Sequence, residues 1–392
     1  MLKDKLLRMI DHLWPEIWDI ALYIYNNPEL GGEEYKAAAY LRKVMEKHGF
    51  EVISSYLDIE TSFKARIGAE KPIIFFLAEY DALPEIGHGC GHHLIAGASV
   101  GAAIALSALK DYWSGSLVVL GTPAEETRGA KVALADNGAF SDCDAVLMFH
   151  PGQSTVINIS SQALEALEVV FSGFHGHSSR GERGNSLVSL VNFYQETLNY
   201  RKAFYPEQQI DGVITSGGIT PNLIPHKAVG KFYLRAITTK LLKKTVQDFR
   251  KMVERIAEQN NTQAVIRRFE PRYLPMQTNE ALAQVFKEQA KTLGVKMDMQ
   301  HQYIIGSMDM GNVSWLVPAI HPYLPLGKGK FSAHSQEFKE MAGSPEGEKT
   351  MKLATKALAL TGLELLLKPE LVEKIWNVQH NYLTTGPFGA HG

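Results

Sequence analysis

The sequence predicts an α/β protein, with a mostly parallel sheet covered by helices on both faces and an inserted α+β lid domain of ferredoxin-like order. Three observations lead there. The chain has 392 residues, beyond the size at which one hydrophobic core usually stops growing. In its first half, short continuous apolar runs alternate with helical stretches, the pattern of strands buried on both faces. In its middle, the order changes to strand, helix, strand, strand, helix, strand.

The apolar runs open KPIIFFLAEYDALP (71–84), SLVVLGTPAEE (116–126) and DAVLMFHPG (144–152), and each ends in a polar cluster. Between the first two, LIAGASVGAAIALSAL (94–109) reads as a buried helix, too short to span a bilayer. Between the second and third, TRGAKVALADNGAF (127–140) reads as an amphipathic helix closed by Gly138. In open α/β sheets, functional groups gather beyond the carboxyl ends of the strands, which is where these clusters fall.

The middle segment begins with a strand at ALEALEVVFSGF and a helix at 186–204. Strands GVITSGG and AVGKFYLRAI follow, joined through TPNLIPHK. In LLKKTVQDFRKMVERIAEQNN, Leu242, Val246, Phe249, Val253 and Ile256 line one helical face, and AVIRRFEPRY closes the unit as a strand. This assigns 163–276 to the insert, and 1–162 with 277–392 to the metal-binding catalytic domain. The tail TTGPFGAHG reads as a loop.

Hydrophobic residues make up 45% of the chain and charged residues 21%, with a formal net charge of −2. That mixture is globular, and it gives no reason to expect a nucleic-acid partner. Cys90 and Cys143 are the two cysteines, too few for a secreted disulfide scaffold, so a reducing, cytoplasmic setting is expected. The charged N-terminus is no signal peptide, and no membrane association is expected. Cys143 reads as a packing residue.

Chemistry concentrates at the ends of the three runs. GHGCGHH places Cys90 and His92 two apart, so a loop can aim thiolate and imidazole at one centre. At least one of His88 and His93 reads instead as a helix cap or loop hydrogen-bonder. Glu125 and Glu126 end the second run, where a solvated loop is the competing reading, and His150 ends the third just before Pro151.

With AEYDALPEIGHGCGHH, GTPAEE, MFHPG, FSGFHGHSS, TSGGITPNLIPHKAVGKFYLRA, GSMDMGNVS and AHSQEF in this order, the chain resembles the zinc amidohydrolases of the aminoacylase and carboxypeptidase type, peptidase family M20. The branch of hippurate, auxin-conjugate and aminobenzoyl-glutamate hydrolases is the most similar. The resemblance implies that Cys90, His92, Glu126, His150 and His334 hold two divalent ions, zinc first, with manganese, cobalt or nickel as alternatives, and that Cys90 bridges them. Such a pair holds a shared water, lowers its pKa and polarises the scissile carbonyl. By the same resemblance Glu125 is the general base, His177 stabilises the oxyanion from the lid, and Asn222 and Arg235 bind the substrate. Arg235 has an ordinary ion pair as its competing reading. The family's lids often pair, implying a homodimer or larger homo-oligomer acting on a small-molecule or peptide amide, either an N-acyl amino acid or a dipeptide.

Two departures stand out. His93 occupies the position of a supporting Asp in much of the branch, which implies altered support for the metal site. Leu77–Glu79 replaces Arg-Ala-Asp, and this leans toward the aminobenzoyl-glutamate and dipeptidase subgroup. Two rivals remain: a thiol hydrolase with Cys90 as nucleophile and His92 or His93 as base, and a non-catalytic metal- or peptide-binding module.

Overall fold

The computed structural model describes residues 1–174, 176–177, 184–297, 303–327, 329 and 331–385, with 176, 177, 303–305 and 385 described by their backbone only. Of the tail expected as a loop, 384–392, Thr384 and Thr385 instead end helix Pro369–Thr385; the rest, and His175, lie outside the described residues. The chain divides into two compact units, Met1–Ser160 with Met276–Tyr303 and Asp309–Gly392, and Ser161–Pro275 with Ile304–Met308. Against the expected insert of 163–276, the second unit begins two residues earlier, ends one residue earlier, and takes in one further stretch. Residues 304–308 group with the second unit rather than with 277–392, and the Gln162 N–H donates to the Gly306 carbonyl at 2.6 Å.

The first unit's sheet runs in the order 51–54, 63–67, 116–121, 73–78, 145–147, 319–320. Its last four strands are parallel, and the hairpin of Glu51–Ser54 and Phe63–Ile67 adds an antiparallel edge. Ile73–Ala78 and Ser116–Gly121 are buried at every position. Both faces of these strands are therefore covered, as their uninterrupted apolar runs require.

The helix His92–Ser107 is buried almost all round and packs against helices Leu2–Asn26 and Pro345–Leu367. Its glycines allow that approach. A Cβ on Gly97 would lie 2.7 Å from Met351 Cε, and one on Gly101 would lie 2.6 Å from Ile17 Cγ2. The close packing fixes the N-terminus of this helix, where Cys90 and His92 sit. No described helix is long and apolar enough to cross a membrane.

Glu364, on Pro345–Leu367, pairs with Lys3 of the first helix and with Lys368 at 2.6 Å. Burial pulls its carboxyl upward, but the two ammonium groups outweigh burial and hold it below its ordinary value of 4.5. A depressed carboxylate stabilises the fold above the unfolded value and loses that contribution as pH falls through the folded one. Glu364→Gln is therefore expected to cost about 1 kcal/mol at pH 7. The gap from the parent should shrink as urea unfolding is repeated below pH 4.5; a gap that is constant with pH would rule this out.

The second unit's sheet runs 208–216, 227–236, 163–172, 263–268, antiparallel throughout. Helices Ser186–Phe204 and Thr239–Gln259 complete the order β-α-β-β-α-β of a split βαβ unit. Asn185 and Thr238 cap them, accepting N–H groups of the first turn. Lys227–Ala236 alternates between covered and open positions, so one face of the sheet meets the helices in a core that includes Phe171, Phe193, Phe232 and Phe249.

Candidate metal centre

Each parallel strand delivers its polar cluster to the same end of the first unit's sheet. Glu79 to Asp81 follow Ile73–Ala78, and Thr122 to Glu126 follow Ser116–Gly121. His150 opens the short strand His150–Gly152, which pairs in parallel with Tyr323–Pro325. Between Cys90 and His92, Gly91 has φ +79° and lies against Pro151, whose Cγ would be 2.6 Å from any Cβ placed there. Only glycine suits both the backbone and the space. His334 also has a positive φ, 67°, and is held there by its N–H donating to the Gly89 carbonyl at 2.9 Å. A non-glycine residue in this region costs energy that surrounding contacts must offset, and here the contact ties His334 to the Cys90 loop.

The donors gather into overlapping groups. Cys90, His92 and His150 offer ligand atoms within 4.8 Å of one another; so do Cys90, Glu126 and His334, and so do His92, Glu125 and Glu126. Cys90, His92 and Glu126 are each shared by two of these triads, so the groups form one continuous donor cluster. The Cys90 Sγ lies 3.5 Å from His150 Nε2, and His334 Nε2 lies 3.1 Å from Glu126 Oε1.

Among the described residues, two buried atoms at the centre lack an aligned hydrogen-bond partner: His92 Nε2, and Glu126 Oε1, which faces His334 Nε2 at 3.1 Å. Leaving such atoms unsatisfied is expensive, so the residues present fit divalent cations. The electrostatics agree. Burial, then the Glu126 charge, pushes the Cys90 thiol up. Burial, then Glu126, Glu79 and Asp309, pushes the Glu125 carboxyl well up. Burial and His92 drop His150 to about 3, leaving a neutral imidazole ready to ligate. A bound cation reverses the first two effects, ionising a coordinating thiol outright.

A layer of residues behind the donors, unassigned from sequence, positions them. Asp81 Oδ1 meets His92 Nδ1 at 2.8 Å, and Asp81 Oδ2 accepts the Glu126 N–H at 2.9 Å. One carboxylate thus orients two donors and fixes the tautomer of His92. Burial would lower the His92 pKa, but Asp81 and Cys90 overcome it and hold the value well above normal. Lys131, fully buried, pairs with Glu79 and, at 2.7 Å, with Asp309 Oδ1. Tyr323 stacks on the His150 ring, centroids 4.6 Å apart.

These findings correct the reading of His93. Its ring donates to the Ala342 carbonyl at 3.3 Å and packs beside Tyr25 and His88, away from the donors. The supporting Asp is Asp81. His88 donates to the Ile24 carbonyl at 3.0 Å, so neither histidine caps the helix, which has no side-chain cap. His321 is buried, both ring nitrogens without a hydrogen-bond partner among the described residues, and its ring lies 5.6 Å from that of His150. Cys143 is a buried free thiol, as is Cys90. With His93 turned away, the thiol-hydrolase alternative loses one of its two candidate bases.

His177, Asn222 and Arg235 belong to the second unit. The backbone of His177 pairs with Leu223, but its side chain lies outside the described residues. Asn222 is exposed and accepts a hydrogen bond from the Thr220 hydroxyl at 2.8 Å. Arg235 pairs with Asp211 at 2.9 Å, and Asp211 also holds Arg201.

Comparison with known proteins accords with this centre. The sequence model of peptidase family M20/M25/M40 matches residues 75–358. The chain is 32% identical to a human Xaa-Arg dipeptidase, over 96% of this chain and 91% of that protein. It is 26% identical to one of the subunits of the p-aminobenzoyl-glutamate hydrolase of Escherichia coli, over 94% and 93%. In fold it is similar to an aminobenzoyl-glutamate utilization protein of Klebsiella pneumoniae (TM-score 0.73, 16% identity, 94% of this chain and 100% of that one). It is also similar to a dinuclear metal-binding M20 peptidase of Bacillus subtilis (TM-score 0.69, 17% identity, 91% and 99%). With the family match spanning most of the chain and the donors converging in the first unit, this protein belongs to peptidase family M20/M25/M40 and is a metal-dependent amidohydrolase.

Proposed function

We propose that the protein cleaves dipeptides or N-acyl amino acids at the amide joining an acyl or aminoacyl group to a carboxylate-bearing amino acid. The observation that carries this reading is the convergence of Cys90, His92, Glu126, His150 and His334 beside Glu125, where buried His92 Nε2 and Glu126 Oε1 lack an aligned hydrogen-bond partner among the described residues. Held by those five residues, two divalent ions supply Lewis acidity to the carbonyl and make a water acidic enough to lose its proton near neutral pH. Zinc is the expected metal; manganese, cobalt and nickel suit the same donor set.

Glu125 takes the proton of the attacking water and passes it to the departing amine nitrogen. Asp81 keeps His92 and the Glu126 backbone in place while the proton moves. His177 donates to the developing oxyanion, and Asn222 and Arg235 receive the substrate carboxylate. The second unit serves as lid and as the surface through which copies pair. The two free thiols suit a reducing cytoplasm.

The names of the relatives choose the substrates to test: dipeptides ending in Arg, p-aminobenzoyl-glutamate, and N-acyl amino acids. Each is assayed with zinc, manganese, cobalt and nickel, before and after chelation. Activity should vanish with chelator and return with added metal. Activity that survives chelation but is lost on thiol alkylation would instead establish Cys90 as the nucleophile.

A further inference from the structure

The turn that carries Glu125 and Glu126 is held by carboxylates from distant parts of the chain. The Ala124 N–H donates to Glu34 Oε1 at 2.7 Å, the Glu126 N–H to Asp81 Oδ2 at 2.9 Å, and the Lys131 N–H to Asp309 Oδ2 at 3.1 Å. Ala124 is the pivot. Its φ is +58°, and its carbonyl accepts the N–H groups of Thr127, Arg128 and Gly129. An alanine in this region is strained and stays there only when its surroundings hold it. The group on its N–H is Glu34, which is fully buried, and whose second oxygen accepts the Thr61 hydroxyl at 2.9 Å.

Burying a carboxylate is costly, and a chain needing only a solvated turn at 122–126 has no use for one there. Glu34 enters from the segment before helix Tyr35–Lys47 and touches none of the donor atoms named above. Its action on the site passes through the backbone of Ala124.

We infer that Glu34 is a positioning residue: by accepting the Ala124 N–H it locks the strained pivot and sets where Glu125 and Glu126 project. The inference rests on the reading of Glu126 as a ligand and Glu125 as the base. Glutamine keeps an acceptor oxygen for Ala124 and an amide for Thr61, so Glu34→Gln should preserve the lock, whereas Glu34→Ala removes it.

The test uses the full chain as parent, E34A, E34Q and T61V. It measures Co²⁺ affinity from the visible absorption of the cobalt–thiolate centre, together with kcat and KM. E34A should lose about ten- to a hundredfold in Co²⁺ affinity, the usual effect of removing an outer support of a metal site, and kcat should fall while KM holds. E34Q should stay within about threefold of the parent, the mark of an acceptor role. E34A at parental affinity and kcat overturns the inference, and so does E34Q losing as much as E34A. If E34A does not fold, T61V decides. A smaller loss in the same direction supports the lock, and parental values overturn it. A parent with no cobalt–thiolate absorption would instead overturn the metal reading itself.

Discussion

Replacing Glu125 by Gln should lower kcat about a hundred- to ten-thousandfold, the range over which a positioned general base acts, while metal binding persists. The substitution keeps the shape of the side chain and deletes only the proton acceptor. It also removes a charge from a crowded site. Burial, and then Glu126, Glu79 and Asp309, all disfavour an ionised Glu125 in the ion-free protein. The variant should therefore fold at least as well as the parent before metal is added. Steady-state kinetics beside a Co²⁺ titration separates the two roles. Unchanged turnover sinks the proposed base, and a lost titration would make Glu125 a ligand instead.

Lys131→Met should cost about 3–5 kcal/mol of stability, the range for breaking a buried ion pair from one side. The ammonium is fully buried and lies between Glu79 and Asp309. Burial works against its charge, but Asp309 and then Glu79 outweigh burial and raise its pKa above normal. Methionine fills much of the same space but leaves both carboxylates without their cation. The damage should reach the site, because Glu79 Oε2 is 3.6 Å from His92 Nε2. The urea midpoint should fall sharply, and adding Asp309→Asn should recover part of the loss by removing one stranded charge. A single variant at the parental midpoint, or a double variant worse than the single, refutes this account.

Much of the fold is legible because its signals are local. Ile73–Ala78 and Ser116–Gly121 announce themselves as uninterrupted apolar runs, and helix Thr239–Gln259 by its apolar stripe. The helix 186–204 has in the structure the bounds read from sequence. The antiparallel hairpin at Glu51–Ser54 and Phe63–Ile67 escapes such a reading, since short strands whose positions are only partly buried carry little pattern. The grouping of 304–308 with the second unit, where Gly306 meets Gln162, joins residues far apart in the chain and leaves no mark in local composition.

By itself, the sequence determined the α/β class and offered strand ends that bear chemistry, with candidate donors at Cys90, His92, Glu126 and His150; His334 came only through the family resemblance. Only the tertiary structure decided which neighbour serves which role. His92 and His93 are adjacent on a helix that turns about 100° per residue, so one ring enters the donor cluster and the other meets the Ala342 backbone. The carboxylate of Asp81, the cation of Lys131 and the hold of Glu34 on Ala124 likewise join residues far apart in the chain. Periodicity reports the face a side chain occupies, whereas a hydrogen bond of about 3 Å depends on how whole elements pack.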